Sequence, residues 1–219
     1  MRTKQKTPLL LKLMIYREED ADNPREDGRY ASTLALWVRN QNFGDDIGGK
    51  SPREFIKEKL GEGIEIAGKR LCALEKQLGK DYYYLPVFGT SHGGIYFSTH
   101  DFLDPFDSGR AGLILISKKD AEEFKMNKKD VMEALAYEVE EYNSYLNGDV
   151  YSYKIEYGDR TFLGDTYYGI LDDTMLKDMK DDAPVGFSSM FDLVDTKKME
   201  DGRITVCRRA RTKKKEGES

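Results

Sequence analysis

Asp104, Asp107 and Ser108 fall within the run Asp104-Pro105-Phe106-Asp107-Ser108-Gly109-Arg110-Ala111-Gly112, and His92 and His100 precede it. A serine hydroxyl, a histidine base and a carboxylate to orient that base form the set a hydrolase or nuclease uses for nucleophilic attack. The same side chains are oxygen and nitrogen donors of the kind a metal ion takes. The spacing departs from both patterns. A nucleophile elbow has glycine two residues before its serine, and Phe106 stands there instead. No His-Glu-x-x-His and no cysteine pair marks a zinc site. The plainer reading is turn chemistry. Asp107 and Ser108 bond nearby backbone N–H groups, and Gly109 and Gly112 let the chain turn into the apolar run 113–116. No metal, cofactor or catalytic residue is expected. The set Asp104, Asp107, Ser108, His92 and His100 stands as the alternative.

Three other groups invite a function. The glycine-rich stretch 89–94 could face a phosphate, but it lacks the Lys-Ser/Thr ending of a phosphate loop and opens no helix, so it reads as a hairpin turn. Glu138 and Glu141 with Tyr142, Tyr145 and Tyr151 make a candidate acidic, aromatic contact surface. Helical spacing brings Glu138, Glu141 and Tyr145 together, and tyrosine is a frequent interface anchor. The plainer reading is a solvated helix face with tyrosines at the core edge. Arg208, Arg209, Arg211 and Lys213 are the weak candidates for nucleic acid, with no aromatic residue interleaved.

Charge bounds these readings. From Arg203 onward seven basic residues stand against two acids, a balance of +5 in a chain of net charge -5, so residues 1–202 carry -10. An acidic body disfavours nonspecific nucleic-acid binding except through that tail. Aromatic residues are 11% of the chain, which a disordered sequence would not carry. Cys72 and Cys207 make neither a ligand pair nor a bridged framework, which fits a reducing, cytoplasmic setting. No stretch approaches the roughly 20 apolar residues of a membrane span, so no membrane partner is expected.

Hydrophobic periodicity supplies the elements that would position these residues. Strands are expected at 9–16, 33–40 and 113–116, with a hairpin of 82–88 and 94–98. Ser51, with Pro52 next and Glu54 third, signals a helix start through a capping box. Gly61 and Gly63 interrupt that helix, and Leu71, Leu74 and Leu78 continue its stripe to Gly79. Ser117 caps a short helix. Asn127 caps a longer one with the stripe Val131, Leu135, Val139, Tyr142 and Leu146, ended by Asn147-Gly148. A strand follows at 150–157. Beyond Gly158, strands are expected at 167–171, 184–194 and 203–209, with a turn or two of helix at 172–180. The pattern lacks regular strand–helix alternation. It predicts an α+β class, a mostly antiparallel sheet with helices packed on one face. The expected layout is a flexible N-terminus over 1–8, a single domain over 9–210 and a disordered basic tail over 211–219.

Several pieces, in order, carry a family resemblance. They are Asn23-Pro24-Arg25-Glu26, then Arg39-Asn40-Gln41-Asn42-Phe43-Gly44-Asp45, then Leu85-Pro86-Val87-Phe88 with Gly94-Ile95-Tyr96-Phe97-Ser98-Thr99. The run from Asp104 to Gly112 follows, and last comes the segment from Glu138 to Tyr151. Over residues 10–171 the chain resembles a family of small proteins found in phage and prophage genomes. The resemblance brings no activity, cofactor or catalytic residue with it. It implies an accessory gene of a phage or mobile element, acting against host systems. The expected function is therefore a non-enzymatic protein in the host cytoplasm, binding a host or phage protein or nucleoprotein.

Overall fold

The computed structural model describes residues 10–26, 28–39, 41–61, 68–91, 94–103 and 106–209 of the 219-residue chain. In chain order the elements are β1 (Leu10–Arg17), β2 (Thr33–Leu36), α1 (Pro52–Leu60), α2 (Leu71–Leu78), β3 (Tyr82–Thr90), β4 (Tyr96–Ser98) and β5 (Ser108–Ser117). Then come α3 (Lys118–Glu123), α4 (Lys128–Asn147), β6 (Val150–Tyr157), β7 (Arg160–Tyr168), α5 (Asp173–Asp182), a 3-10 helix (Ser188–Leu193) and β8 (Arg203–Arg209). The class is α+β, as the pattern predicts. The chain divides into two compact units. An inner unit is Asp22–Asn147, and a flanking unit joins the residues up to Ala21 to those from Gly148.

The inner unit holds an antiparallel sheet in the order β2-β5-β3-β4. Its interior strand β5 carries an unbroken apolar run and is buried from Ala111 to Ile116. Such a run fits a strand covered on both sides. Leu113 and Leu115, with Ala35 of β2, pack against Phe55 and Ile56 of α1 and Leu74 and Leu78 of α2. Ala111, Ile114 and Ile116 pack with Val131, Leu135, Val139 and Tyr142 of α4. Helices thus cover both faces here, because each of the two helical stripes needs its own apolar partner.

The sequence signals for the helix ends hold. Ser51 Oγ accepts from the Glu54 N–H while Glu54 reaches back to the Ser51 N–H, and Gly61 closes α1. Ser117 caps α3. Asn127 Oδ1 accepts from the N–H groups of Lys129 and Asp130, and α4 ends before Gly148, whose φ is 71°.

The flanking unit is an antiparallel sheet in the order β7-β6-β1-β8. Leu13, Ile15, Tyr151, Tyr153 and Ile155 present one face to Met175, Leu176 and Met179 of α5 and to Met190 and Phe191 of the 3-10 helix. Here the expected single helical face is found.

Three local expectations are corrected. The strand expected at 184–194 is the 3-10 helix. The Met190 N–H bonds the Phe187 carbonyl and the Val194 N–H that of Phe191, and this tight turn buries Met190 and Phe191. The strand expected at 167–171 is the end of the longer β7, which pairs with β6 as a hairpin across Gly158, whose φ is 64°. The strand expected over 33–40 stops at Leu36, and a short bridge between Val38 and Gln41 turns the chain back.

Candidate functional site

From Ser108 to Gly112 the chain is strand rather than the turn its composition suggests. Ser108 already belongs to β5 and pairs with Thr90, while Gly109 pairs with Gly89. Neither Gly109 nor Gly112 has a positive φ. Gly112 is nonetheless structural, since a Cβ there would overlap the carbonyl oxygen of Ala35 on β2. Glycine permits this close approach of two backbones.

Asp107 and Ser108 line an open cavity of about 400 Å³ with Trp37, Arg39, Phe97, Phe106 and Arg110. No histidine is among the described residues that line it. His100 lies beyond β4, exposed, with its Nδ1 3.4 Å from Thr99 Oγ1 and its N–H bonded to Ser98 Oγ at 2.9 Å. His92 and Asp104 lie outside the described residues. Among the described residues no three of His, Cys, Asp and Glu converge as a metal set. Arg110 is held in place, with Nε on the Gly112 carbonyl and a second nitrogen 2.8 Å from Glu75.

The segment leading into this cavity exposes large apolar side chains. Phe106 is 93% exposed, Leu103 87%, Tyr96 43% and Phe102 37%. Leu103 also holds a φ of 56°, the left-handed region that a leucine rarely adopts. Its N–H bonds Asp101 Oδ1 at 3.1 Å, an Asx turn that fixes this conformation. The chain thus spends backbone strain to keep a leucine in water.

The acidic and aromatic candidates on α4 are turned inward. Arg25, whose side chain is 2% exposed, grips Asp45 through two bonds of 2.8 Å and Glu138 through one of 2.6 Å. It also bonds the Ser32 carbonyl, and the Tyr30 ring lies over its guanidinium at 4.6 Å. The Ser32 hydroxyl donates to Glu138, the Tyr30 hydroxyl donates to Glu141, and Arg29 pairs with Glu141 at 3.4 Å. Asp45 accepts in addition from the Leu34 N–H. This network fastens residues 25–45 onto α4.

Burial raises Glu138 above the ordinary carboxylate range, and the bonds from Ser32 and Arg25 only partly offset it. Burial also works against the charge on Arg25, but Asp45 and Glu138 outweigh it and raise its pKa. Tyr142 is 3% exposed, and its hydroxyl accepts from the Gly44 N–H. Tyr145 is half-buried against the Tyr142 ring. Tyr151, in the flanking unit, is buried with its hydroxyl bonded by Arg17. Of these five residues only Tyr145 keeps a ring partly open to solvent.

Asn143, which sequence reasoning passed over, has a clear role. Its side chain accepts from the Phe97 N–H at 2.8 Å and donates to the Phe97 carbonyl at 2.6 Å. It closes the outer edge of β4 against further strands. The signal was present, since Asn143 falls on α4 between the stripe residues Tyr142 and Leu146, but its partner is 46 residues away.

Arg208 and Arg209 sit exposed on the sheet-edge strand β8, where Arg208 is 3.5 Å from Ser189 Oγ. Arg211 and Lys213 lie outside the described residues. Among the described residues no helix is long and apolar enough to cross a membrane. No family model, curated protein or solved structure matches this chain.

Proposed function

We propose that this chain is a non-enzymatic accessory protein of a phage or other mobile element. It acts in the host cytoplasm by docking on a host or phage macromolecule, with host defence the target class its family resemblance suggests. The observation that carries the docking reading is the exposed apolar segment of the inner unit, with Leu103 held in a strained conformation and Phe102 and Phe106 beside it. Apolar side chains concentrated in this way mark contact surfaces, and strain in an exposed residue points to a functional constraint. Arg39 and the rings of Trp37 and Phe97 adjoin the segment in one cavity, so a partner's side chain has a place to enter.

The test is capture from infected host cells by the tagged full chain, followed by affinity measurement on the captured partner. The double variant Leu103→Asp/Phe106→Asp is expected to weaken binding by about 2 kcal/mol or more, with an unchanged circular dichroism spectrum. Tyr145→Ala, the one α4 ring still open to solvent, should have the smaller effect. Equal affinity in the double variant would remove this face from the proposal.

A further inference from the structure

Both sheet edges of the inner unit are closed. Asn143 takes the outer backbone groups of Phe97 on β4. On β2 the Leu34 N–H bonds Asp45 Oδ2, and the Leu34 carbonyl accepts from the Asp45 N–H. Strand β8 of the flanking unit, also a sheet edge, differs. Its inner side pairs with β1 over its whole length. Its outer side begins a hairpin that is not completed. Arg203 and Glu200 exchange backbone bonds of 2.9 and 3.1 Å across Asp201-Gly202. Both turn residues have positive φ, 48° and 69°, as the type I′ turn of a hairpin requires. Yet the arm before the turn is Glu200 alone. Met199 leaves the edge to pack on the flanking core, and Thr196–Lys198 form a 3-10 turn. Backbone groups alternate in direction along an antiparallel strand. The Gly202 carbonyl accepts from Arg17 on the inner side, and Arg203 bonds outward. Thr205 and Cys207 therefore also aim their N–H and carbonyl groups outward, and both residues are exposed. Among the described residues nothing bonds these groups.

We propose that β8 accepts an extended segment of a partner protein as a further strand, antiparallel to β8, in the place of the missing arm. Backbone bonds to Thr205 and Cys207 hold the segment. An open cavity of about 700 Å³ adjoins this edge, lined by Leu193 and Val206 and by the ion pair of Asp195 with Lys198. It receives every second side chain of the incoming strand, since these fall on one face. Charge selects the occupant. The edge is acidic at the turn, with Glu200 and Asp201, and basic at its far end, with Arg208 and Arg209. Both arginines are exposed and, among the described residues, without an ion pair. An antiparallel segment lays its N-terminal half against them, so its acids belong there. A second copy of this chain fits poorly. Pairing two β8 edges over 205–209 joins four arginines and no acid in one short ladder, and like charges there repel. This surface belongs to the flanking unit and does not rest on the apolar segment of the inner unit.

The experiment titrates the full chain with a fluorescein-labelled peptide of about eight residues, within the ordinary range of strand lengths. The peptide alternates valine with polar residues and is acidic in its N-terminal half. Anisotropy should report binding below about 1 mM, with slowed hydrogen exchange at the Thr205 and Cys207 amides. Cys207→Pro removes one outward N–H and no bond to β1, a placement an edge strand tolerates. It should weaken binding about tenfold or more. N-methylation of the peptide's alternate amides tests the same bonds with the protein unchanged. One of the two phases should abolish binding and the other should not. Arg208→Glu/Arg209→Glu should reverse the preference, towards a peptide basic in its N-terminal half. Absence of binding or of amide protection, or equal binding of both N-methylated peptides, would overturn the proposal. Self-association of the full chain that protects the same two amides would give the edge to a second copy and overturn the proposed partner.

Discussion

Both units build a four-stranded antiparallel sheet, yet they bury it differently. In the inner unit helices lie on both faces of β5, whose residues from Ala111 to Ile116 are all buried. In the flanking unit α5 and the 3-10 helix cover one face, and the other face carries Lys12, Lys154 and Glu156 in mutual ion pairs. The difference sets where charge can sit. A sheet with a wet face can keep its ion pairs there, about a third exposed, where each contributes little. A sheet covered twice forces polar groups of its connecting segment inside. The inner unit answers with Arg25, which neutralises Asp45 and Glu138, while the Ser32 hydroxyl donates to the same Glu138 oxygen and Tyr30 donates to the neighbouring Glu141.

The sharpest way to break this comparison is to remove one charge from each unit. Arg25→Met leaves two carboxylates buried without their partner and should destabilise the protein by about 3–5 kcal/mol. Lys12→Met should cost no more than about 0.5 kcal/mol, as expected for a surface pair. Urea unfolding followed by circular dichroism reads both units, and the fluorescence of Trp37, the chain's single tryptophan, reads the inner unit. Similar costs for the two variants would show that the Arg25 network is as dispensable as a surface pair.

The tight glycines come next. Gly112→Ala pushes a methyl group into the Ala35 carbonyl, and the hydrogen-bonded backbone of β2 has little room to give. The expected loss is about 3 kcal/mol. Gly164→Ala in β7 meets the ring of Tyr153, which is itself buried against Tyr167 and Phe191, so a loss of about 3 kcal/mol is expected there as well. Thermal unfolding of the two variants in parallel checks this, and an unchanged melting temperature for Gly112→Ala would remove the case for close backbone approach.

Ser51→Ala should lower stability by about 1 kcal/mol through loss of the α1 cap. An unchanged melting temperature would mean that the helix is held by Phe55 and Ile56 alone.

The smallest effect is a pH dependence. Glu138 holds its proton more tightly folded than unfolded, because burial raises its pKa. Its contribution to stability is thus fully present below the ordinary carboxylate value and fades as the pH rises through the raised folded value. The stability difference between wild type and Glu138→Gln should therefore move in favour of wild type as the pH is lowered from about 7 towards about 5. A flat difference across that range would place the proton elsewhere in the network.

The residue pattern alone determined the elements whose signals are local. The capping box at Ser51, the Asn127 cap, the α4 stripe and the apolar run of β5 each rest on neighbours within a few positions, so spacing revealed them. It also determined the charge asymmetry, whereas the close approach of Gly112 to the Ala35 carbonyl came only from the pairing of β5 with β2. Only the tertiary structure decided what Glu138, Glu141 and Tyr142 do. Spacing put them on α4 in a plausible contact surface, but their partners Arg25, Arg29, Tyr30 and Gly44 lie 98 to 113 positions away, and that pairing turned the groups inward. The same holds for Asn143 at the β4 edge, and for the pairing of Leu10 with Arg209. Local propensity records what a residue's immediate neighbours allow. Burial and long-range register depend on which faces meet, and that is settled by the packing of the whole chain.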